Sequence, residues 1–477
     1  MKSFSNKRYA IEFVLALLLF PFLAKTNAQG ISFSKDSVIF ILNSQPEQLI
    51  CADFNGDQNL DVAAVVQDES NGDPLLIFLN NGNGVINNQA DSAYQNINYP
   101  RGFASGDFNN DQIKDLAVSI YEDSCIAIYF GNGDGRFTAG AVLDIPTKPG
   151  PLGCADFNND GNADLVVGSS YGFLIVYTGD GQGGFSEQES KHSIGTVKDI
   201  KTFDMNGDQY TDIIVGTSNR AVVELFLNDG SGGFPSQNNF VTPYPSGFIG
   251  IADFNNDGYP DIVSGSGSNT EDNVTLLLRK SELEYPCVDT VSMGKYIRDI
   301  TTGDFNNDQT MDIAVSDQNG LYIISGDGNG RLTSIDTVDI IDRDYYGGND
   351  IKAADVDNNG FLDLVVTRYT QISIYYNTSA TAITSGTMPP ADFLLFQNYP
   401  NPFNPSTTIS YQISQAGLVQ LSIYNLLGQK VRELVDATQS PGLYRVNIDA
   451  TGLAAGLYFY RLRCKQGCST RKMVIIK

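Results

Sequence analysis

The sequence predicts an all-β fold, and three observations lead to this prediction. A nine-residue acidic motif recurs seven times between residues 53 and 363. The starts of successive motifs are 54, 49, 48, 49, 51 and 51 residues apart, a period typical of units of four short strands. Most motifs run directly into a short segment rich in β-branched residues, such as DLVVGS or DIIVGT, and residues 29–378 contain no amphipathic helical period.

The two ends of the repeat region predict a circular array. An aromatic residue stands at the same distance before the next motif in three units: Phe137, Phe185 and Phe234. Phe33 stands at nearly this distance before Asp53, whereas the seventh unit, which ends near Asn377, lacks this outer strand. We therefore expect the first strand to complete the last unit, because such closure protects the sheet edges. The sequence predicts a seven-bladed β-propeller over residues 29–378, with an open solenoid as the alternative.

The motif has the composition of a calcium loop. Oxygen-bearing side chains occupy positions 1, 3, 5 and 9, and Ca²⁺ takes six to eight oxygen ligands. An EF-hand has a bidentate Glu at position 12, where this chain has apolar residues such as Ala64 and Val118, so the Asp at position 9 is expected to ligate directly. Repetition of one spacing favours about one Ca²⁺ per blade over Asx-rich turns that need no metal.

The candidate ligands follow the same offsets in each copy, with the carbonyl of Asn59 as a further donor at position 7. They are Asp53, Asn55, Asp57, Asn59 and Asp61; Asp107, Asn109, Asp111 and Asp115; Asp156, Asn158, Asp160 and Asp164; Asp204, Asn206, Asp208 and Asp212; Asp253, Asn255, Asp257 and Asp261; Asp304, Asn306, Asp308 and Asp312; and Asp355, Asp357, Asn359 and Asp363.

Charge divides the chain into three parts. The net charge is −25. The first 28 residues carry +3 and residues 391–477 carry +5, so the segment between them carries −33. An anionic segment of this size repels nucleic acid and anionic membranes, and it favours cations as partners.

The first 28 residues have the pattern of a secretory signal peptide. A basic start is followed by an apolar core from Phe13 to Leu23, about half the length that a membrane span needs, and small residues precede Gln29. We expect the mature chain to begin at Gln29 without a membrane span; an uncleaved anchor is the alternative. The thiols of Cys51 and Cys154 are expected to be buried, and a disulfide between Cys464 and Cys468 is one possibility in an exported protein.

A second domain follows a small-residue linker at 379–391. Residues 392–477 alternate apolar and polar residues over several segments, such as VQLSIYNLL and GLYFYRLRC. This period of two predicts about seven short strands in a small Ig-like β-sandwich.

The repeat pattern resembles the FG-GAP or VCBS-type repeats of integrin α-like and exported bacterial propellers, over about residues 31–378. The resemblance implies a seven-bladed fold with calcium held in loops on one face. In integrins the opposite face is involved in ligand engagement.

The C-terminal segment is closely similar to the type A sorting domain of the type IX secretion system. The matching positions are Asn398 to Phe403, Tyr424 and Asn425, Gly428 to Val431, Gly456 to Tyr458, and Lys472 to Lys477. The similarity implies a Gram-negative bacterium, Sec-dependent passage to the periplasm and type IX export to the cell surface or the medium, with the secretion machinery as a partner.

Function is expected to be binding, not catalysis. The carboxylates are accounted for by the loops, and the single His192 lies in a polar stretch that is typical of a surface position. An adhesin for extracellular protein and a lectin for glycans both remain open, and a polysaccharide lyase or glycosidase is a further alternative. The candidate contact residues are Tyr94 with Tyr99, Tyr244, and Tyr345 with Tyr346.

Overall fold

A computed structural model describes most of the chain after residue 30. The described residues are 31–34, 39–41, 45–67, 75–82, 86, 92–94, 97, 99–266, 272–281, 283–293, 296–340, 350–368, 370–379, 393–395, 398, 401, 403, 406–413, 415–425, 429–440, 442–465 and 467–475. The predicted signal peptide, Tyr345 and Tyr346, and the linker after residue 379 lie outside these ranges.

The described residues are all β, as predicted. No α-helix occurs among them, and thus no helix in this part of the chain could span a bilayer. The dominant element is a four-stranded antiparallel sheet that recurs along the chain, which is the architecture of a propeller.

The repeat region contains 28 short strands in its described residues. They are β1 (Ile39–Ile41), β2 (Gln45–Ala52), β3 (Asp61–Gln67), β4 (Leu75–Phe78), β5 (Ser92–Tyr94), β6 (Pro100–Gly106), β7 (Asp115–Ile120), β8 (Cys125–Gly131), β9 (Phe137–Asp144), β10 (Pro149–Ala155), β11 (Asp164–Ser169), β12 (Phe173–Gly179), β13 (Phe185–His192), β14 (Val197–Phe203), β15 (Asp212–Thr217), β16 (Val222–Leu227), β17 (Ser236–Val241), β18 (Phe248–Ala252), β19 (Asp261–Gly265), β20 (Asn273–Leu277), β21 (Cys287–Ser292), β22 (Asp299–Gly303), β23 (Asp312–Ser316), β24 (Gly320–Gly326), β25 (Leu332–Ile340), β26 (Ile351–Ala354), β27 (Asp363–Arg368) and β28 (Gln371–Tyr375).

The sheets follow chain order except at the ends of the region. Consecutive groups of four strands, from β2–β5 to β22–β25, each form one sheet. The last sheet has the order β1-β28-β27-β26, so its outer strand comes from the N-terminus. Ile39 pairs with Ser373, and Phe33 forms a bridge with Asn377. This pairing of the first strand with the last unit is the one that the sequence predicts.

The hydrophobic core lies between neighbouring sheets. The first strands of successive sheets pack side by side, and β26 of the last sheet also packs against β2 of the first. One apolar cluster joins Ala63 of β3 to Leu116 of β7, and another joins Ala64 of β3 to Val365 of β27. The second strand of each sheet, such as β3, is buried on both faces, which explains its continuous apolar sequence.

The last Asp of each motif begins the second strand of its sheet and is fully buried. In the third copy, Asp164 accepts the N–H of Phe157 on Oδ2 and the N–H of Gly179 on Oδ1, both at 2.8 Å. This carboxylate therefore ties the loop to the end of the third strand. The other copies make the same two bonds: Asp61, Asp115, Asp212, Asp261, Asp312 and Asp363.

The second residue of each motif joins neighbouring sheets. The ring of Phe157 packs edge-to-face against Phe234 of the next sheet, with centroids 5.6 Å apart, and the Phe157 carbonyl accepts a hydrogen bond from Asn228 Nδ2 at 2.8 Å. A donor from the next sheet reaches the same carbonyl in the other copies: Gly135 to Phe54, Gly183 to Phe108, Arg279 to Met205, Gly330 to Phe254, Asn377 to Phe305, and Asn80 to Val356. The last of these contacts connects the seventh motif to the first sheet.

The C-terminal region forms two sheets around one core. Its strands are β29 (Phe393–Leu395), β30 (Ser406–Ile413), β31 (Gly417–Tyr424), β32 (Lys430–Gln439), β33 (Gly442–Asp449), β34 (Gly456–Cys464) and β35 (Gly467–Ile475). The sheets have the orders β29-β30-β33 and β32-β31-β34-β35. Tyr411 of one sheet and Tyr460 of the other are fully buried in the shared core.

We predict that Asp164→Ala destabilises the protein far more than Asp160→Ala when both are measured in chelator. The first change leaves two buried amide groups without acceptors, at a cost of about 2–5 kcal/mol in the free energy of unfolding. Asp160 lies in the exposed part of the same loop, so its loss should cost about 0.5 kcal/mol or less. Urea denaturation of the mature chain measures both, and equal effects would contradict the role assigned to Asp164.

Candidate metal-binding site

The motif forms the turn between the first and second strands of each sheet. In the third copy, Ala155 ends β10 and pairs with Asp164 at the start of β11, so residues 156–163 form the loop. All described copies have this placement. Adjacent loops are in contact, since Asn110 Nδ2 donates to Asn162 Oδ1 at 2.7 Å and Asn358 Nδ2 donates to Asn59 Oδ1 at 2.8 Å.

Positive φ values at two positions shape every loop. Position 4 has φ between 57° and 86° in all seven copies, and position 6 has φ between 69° and 90°. These positions hold only Gly or Asn and only Gly or Gln, respectively. Gly and Asn adopt this region at low cost, whereas Gln does so with some strain. The alternation turns the side chains of positions 1, 3 and 5 toward one another.

The side chains of positions 1, 3 and 5 are connected by hydrogen bonds within the loop. In the third copy, Asp156 Oδ1 and Asn158 Oδ1 both accept the N–H of Asp160, at 3.1 and 3.0 Å. Asn158 Nδ2 donates to Asp160 Oδ2 at 2.9 Å, and Asp156 Oδ2 accepts the N–H of Gly161 at 2.9 Å. Carboxylate and amide oxygens thus meet within a single tight turn.

The seventh loop brings position 9 into the same group. The carboxylate oxygens of Asp355, Asp357 and Asp363 lie within 4.8 Å of one another. This copy has Asp where the others have Asn at position 3 and Asn where they have Asp at position 5. Asp363 accepts three backbone amides, from Val356, Asp357 and Asn377, and any ligation by its oxygens uses the lone pairs that remain.

Burial and like charge raise the pKa of these carboxyl groups. Burial is the main cause for Asp61, whose pKa rises to about 7, and the nearby charges of Asp57 and Asp53 raise it further. Burial likewise raises the pKa of Asp312 and Asp363 to about 8. Several acidic groups held close together favour a bound cation, which would keep them ionised.

The donor set fits a hard divalent cation. All side-chain donors at positions 1, 3, 5 and 9 are oxygens, and the loops contain neither His nor Cys. Oxygen-only sites select Ca²⁺, Mg²⁺ or Mn²⁺ over zinc or copper, and an irregular loop with many carboxylates suits Ca²⁺ best. The side chain of Asn59 turns to the adjacent loop, so ligation by its backbone carbonyl stays a prediction.

Other residues singled out in the sequence have packing roles. The Tyr94 hydroxyl accepts the N–H of Phe137 at 2.5 Å, and its ring packs against Tyr129 at 5.7 Å; Tyr94 is therefore part of the structure between two sheets. Burial raises the pKa of the Cys51 and Cys154 thiols to about 12. His192 is exposed on β13.

The segment from Asn398 to Phe403 connects the start of the C-terminal domain to strands β34 and β35. Asn398 donates its N–H to the Tyr460 hydroxyl at 2.7 Å, and Asn401 Oδ1 accepts the N–H of Val474 at 2.7 Å. The Phe403 ring is 1% exposed, and its N–H donates to the Val474 carbonyl at 3.0 Å. Cys464 carries a free thiol, so the disulfide considered from the sequence is not formed.

The C-terminal domain lies over the acidic loops. Lys472 Nζ is 2.9 Å from Asp253 Oδ2, and Asn447 Nδ2 donates to Gln58 Oε1 at 2.9 Å. A cavity of about 1500 Å³ separates the two surfaces. Lys472 thus supplies a positive charge at position 1 of the fifth loop, and an ion bound there would share Asp253 or displace the lysine.

Comparisons with known proteins agree with this architecture. A model of FG-GAP-like repeats matches residues 53–118, 204–264 and 304–366, and a model of a secretion system C-terminal sorting domain matches residues 397–477. No curated protein sequence matches the chain.

One solved structure is similar in fold, and a second is a weaker match. A crystal structure of BBS1N in complex with ARL6DN, soaked with lead, is 13% identical with a TM-score of 0.52, covering 72% of this chain and 96% of that one. A lectin of Agrocybe aegerita that recognises non-reducing terminal N-acetylglucosamine is 16% identical with a TM-score of 0.43, covering 62% of this chain and 81% of that one.

The chain thus carries FG-GAP-like repeats in a β-propeller-type fold and ends in a type IX secretion sorting domain, which indicates export to the cell surface or the medium.

Proposed function

We propose that the protein is an exported binding module: a closed, calcium-stabilised propeller of seven blades with an Ig-like sorting domain, which attaches to an extracellular protein partner. The observation that carries the proposal is the cyclic set of contacts made by position 2 of each motif. Each carbonyl receives a donor from the next sheet, and Asn80 Nδ2 completes the set at Val356 with a distance of 2.7 Å. An open solenoid would leave this last contact unmade.

Further contacts of the seventh unit with the first support closure. Asp350 Oδ2 accepts the N–H of Leu49 at 2.5 Å, and Phe33 packs on Phe305 with ring centroids 6.4 Å apart. Phe33 thereby takes the place that Phe185 and Phe234 take in other units. Closed propellers present broad, rigid faces, and such faces suit the recognition of large partners.

Calcium in the loops would supply a large share of the stability. Extracellular modules bind Ca²⁺ with dissociation constants of about 10⁻⁴–10⁻³ M. Calcium at about tenfold above that value contributes about 1.4 kcal/mol per site. One ion per blade would then contribute roughly 10 kcal/mol if the sites are additive, which is comparable to the whole stability of a typical domain.

We predict that chelation lowers the melting temperature of the mature protein by about 10 °C or more. Differential scanning calorimetry with calcium and with EGTA measures the shift, and equimolar Mg²⁺ should restore little of it, because Mg²⁺ demands a smaller, octahedral site. An unchanged melting temperature would refute structural calcium.

Asp160→Ala provides the matched test of one loop. It should cost about 1 kcal/mol in calcium and almost nothing in chelator, and it should lower the number of bound ions by one. Asn239→Ala, at an exposed position of β17, is the control and should be neutral in both conditions. An equal effect of Asp160→Ala in both conditions would contradict ligation by this loop.

Binding is favoured over catalysis by the placement of the acidic groups. The clustered carboxylates of the described repeats either line the loops or hold strands together, and His192 is exposed and packs on Phe173 with ring centroids 4.5 Å apart. A lectin is the second candidate, and a polysaccharide-active enzyme is the third.

We predict that cells lacking the protein adhere less to surfaces coated with extracellular protein. We also predict that the purified mature protein shows no selective signal on a glycan array in calcium. The array is repeated in chelator as its control. Selective, calcium-dependent binding of a sugar would replace the proposed protein partner with a glycan and establish the lectin.

We predict that deletion of residues 391–477 leaves the folded repeat region in the periplasm. The sorting domain is the part that the type IX machinery engages, so its loss should abolish outer-membrane passage without preventing Sec-dependent export. Immunoblots of cell fractions locate the protein, and calcium-dependent protease resistance of the periplasmic form verifies its fold. Normal surface delivery without the domain would contradict this role.

A further inference from the structure

Four charged residues occupy one equivalent position in four different sheets. Glu47, Arg101, Lys198 and Arg298 share the same offset before the first Asp of their motif, near the start of the first strand. The first strand lies between this offset and the loop, and an extended chain of that length spans about 20 Å. This group therefore lies at the end of the sheets opposite the acidic loops. We refer to these four residues as the basic cluster.

One cation of the basic cluster pairs with its carboxylate, and the charges of the other two act on it. Arg101 Nη1 lies 3.7 Å from Glu47 Oε2. Burial raises the pKa of Glu47, and the charges of Arg101, Lys198 and Arg298 act in the opposite direction. Strands from separate repeats of the chain thus bring three positive charges to one place, against one negative charge.

Aromatic rings fix the orientation of the two arginines. The Arg101 guanidinium lies 5.7 Å from the ring centroids of both Tyr99 and Tyr121, and Arg298 lies 5.9 Å from that of Tyr296. Tyr99 and Tyr296 both adopt positive φ, 61° and 59°, which is strained for an aromatic residue. A stacked guanidinium keeps its N–H edges available for acceptors in its own plane.

One buried hydrogen-bond donor of the cluster has no acceptor within the described residues. This donor is Arg298 Nε. A buried donor without an acceptor destabilises the protein, and an incoming oxygen would satisfy it.

Three acidic groups near the cluster are already compensated. Asp199 and Asp299 directly follow Lys198 and Arg298, and Asp350 has the same offset in the seventh unit. Each accepts an N–H from the first strand of the next sheet. Lys201 lies 3.0 Å from Asp199, and Lys352 lies 2.5 Å from Asp350 and 3.8 Å from Asp299. These three carboxylates therefore hold the sheets together, and the four residues of the cluster carry a charge of +2. Asp272, which accepts the N–H of Tyr296 at 2.5 Å, adds one carboxylate beside Arg298.

We propose that the basic cluster binds the carboxylates of an acidic segment of a protein partner. The inference rests on the proposed function, and it names the surface and the chemistry of the partner. Arginine and tyrosine together are the residues that most often dominate protein interfaces. Two oriented guanidinium groups and one ammonium match a segment with two or more Asp or Glu side chains.

The test uses a fluorescein-labelled hexaglutamate peptide and the calcium-loaded mature protein. Fluorescence anisotropy at low salt should show saturable binding, and a hexaglutamine peptide should not bind. Arg101→Gln with Arg298→Gln should weaken binding by about tenfold or more. Glu47→Gln should tighten binding by about threefold, because it removes the carboxylate that competes with the ligand.

Arg220→Gln is the matched control. Like each of the two substitutions in the double variant, it removes one positive charge, at an exposed position of a loop at the same end of the sheets, between β15 and β16, and it should leave binding unchanged. Melting temperatures in calcium verify that each variant is folded. Absence of binding, or equal binding by the double variant and the control, would overturn the proposal.

A glycan outcome is distinguished in the same assay. Unlabelled polygalacturonate and unlabelled hexaglutamate are compared as competitors of the labelled peptide. If polygalacturonate competes more strongly, and if its binding depends on Arg101 and Arg298, the cluster binds acidic sugars and the protein partner is overturned. The calcium-dependent melting shift is measured in the same samples. If that shift is intact while the peptide fails to bind, only this inference falls; if the shift is absent, the proposed calcium-stabilised module fails separately.

Discussion

The buried Asp at the end of each motif is the constraint on which the repeat region depends. Asp164 holds the loop through Phe157 and the third strand through Gly179, and it starts the strand that is buried on both faces. A carboxylate can occupy this position because backbone amides satisfy both of its oxygens. The bond to Phe157 fixes the position 2 residue, and its carbonyl and ring then make the contacts with the next sheet.

The fold and the proposed cation site therefore share one loop. Positions 1, 3 and 5 offer oxygens to an ion, while positions 2 and 9 build the core directly beneath them. Burial raises the pKa of Asp61, and the charges of Asp57 and Asp53 raise it further, so a buried carboxylate beside an acidic loop is unfavourable without a cation. A divalent ion would relieve this opposition, so binding of an ion and packing of the sheets would stabilise one another.

The sequence was sufficient for the loops but not for the surfaces. Repeated Asp offsets correctly place each loop between two strands, and the spacing of Phe33 correctly pairs the N-terminus with the last sheet. Tyr94 was expected as a contact residue, yet it packs between sheets, because a tyrosine in a strand gives no signal of which side it faces. The sequence also did not predict that the position 9 carboxylate accepts backbone amides from the loop and from the third strand. The basic cluster could not be predicted, because its members belong to separate repeats and meet only through the arrangement of the sheets.

The two ends of the sheets differ in charge, and this difference suggests how the parts of the protein work together. Basic residues of the sorting domain lie over the acidic loops, where Lys472 pairs with Asp253. Arg101 and Arg298 lie at the other end, with Tyr99 and Tyr296 beside them. The sorting domain would therefore cover only the end of the sheets that carries the acidic loops. A partner bound at the basic cluster would not compete with the domain that directs export, so the same molecule can be delivered and can bind without rearrangement of its propeller-type fold.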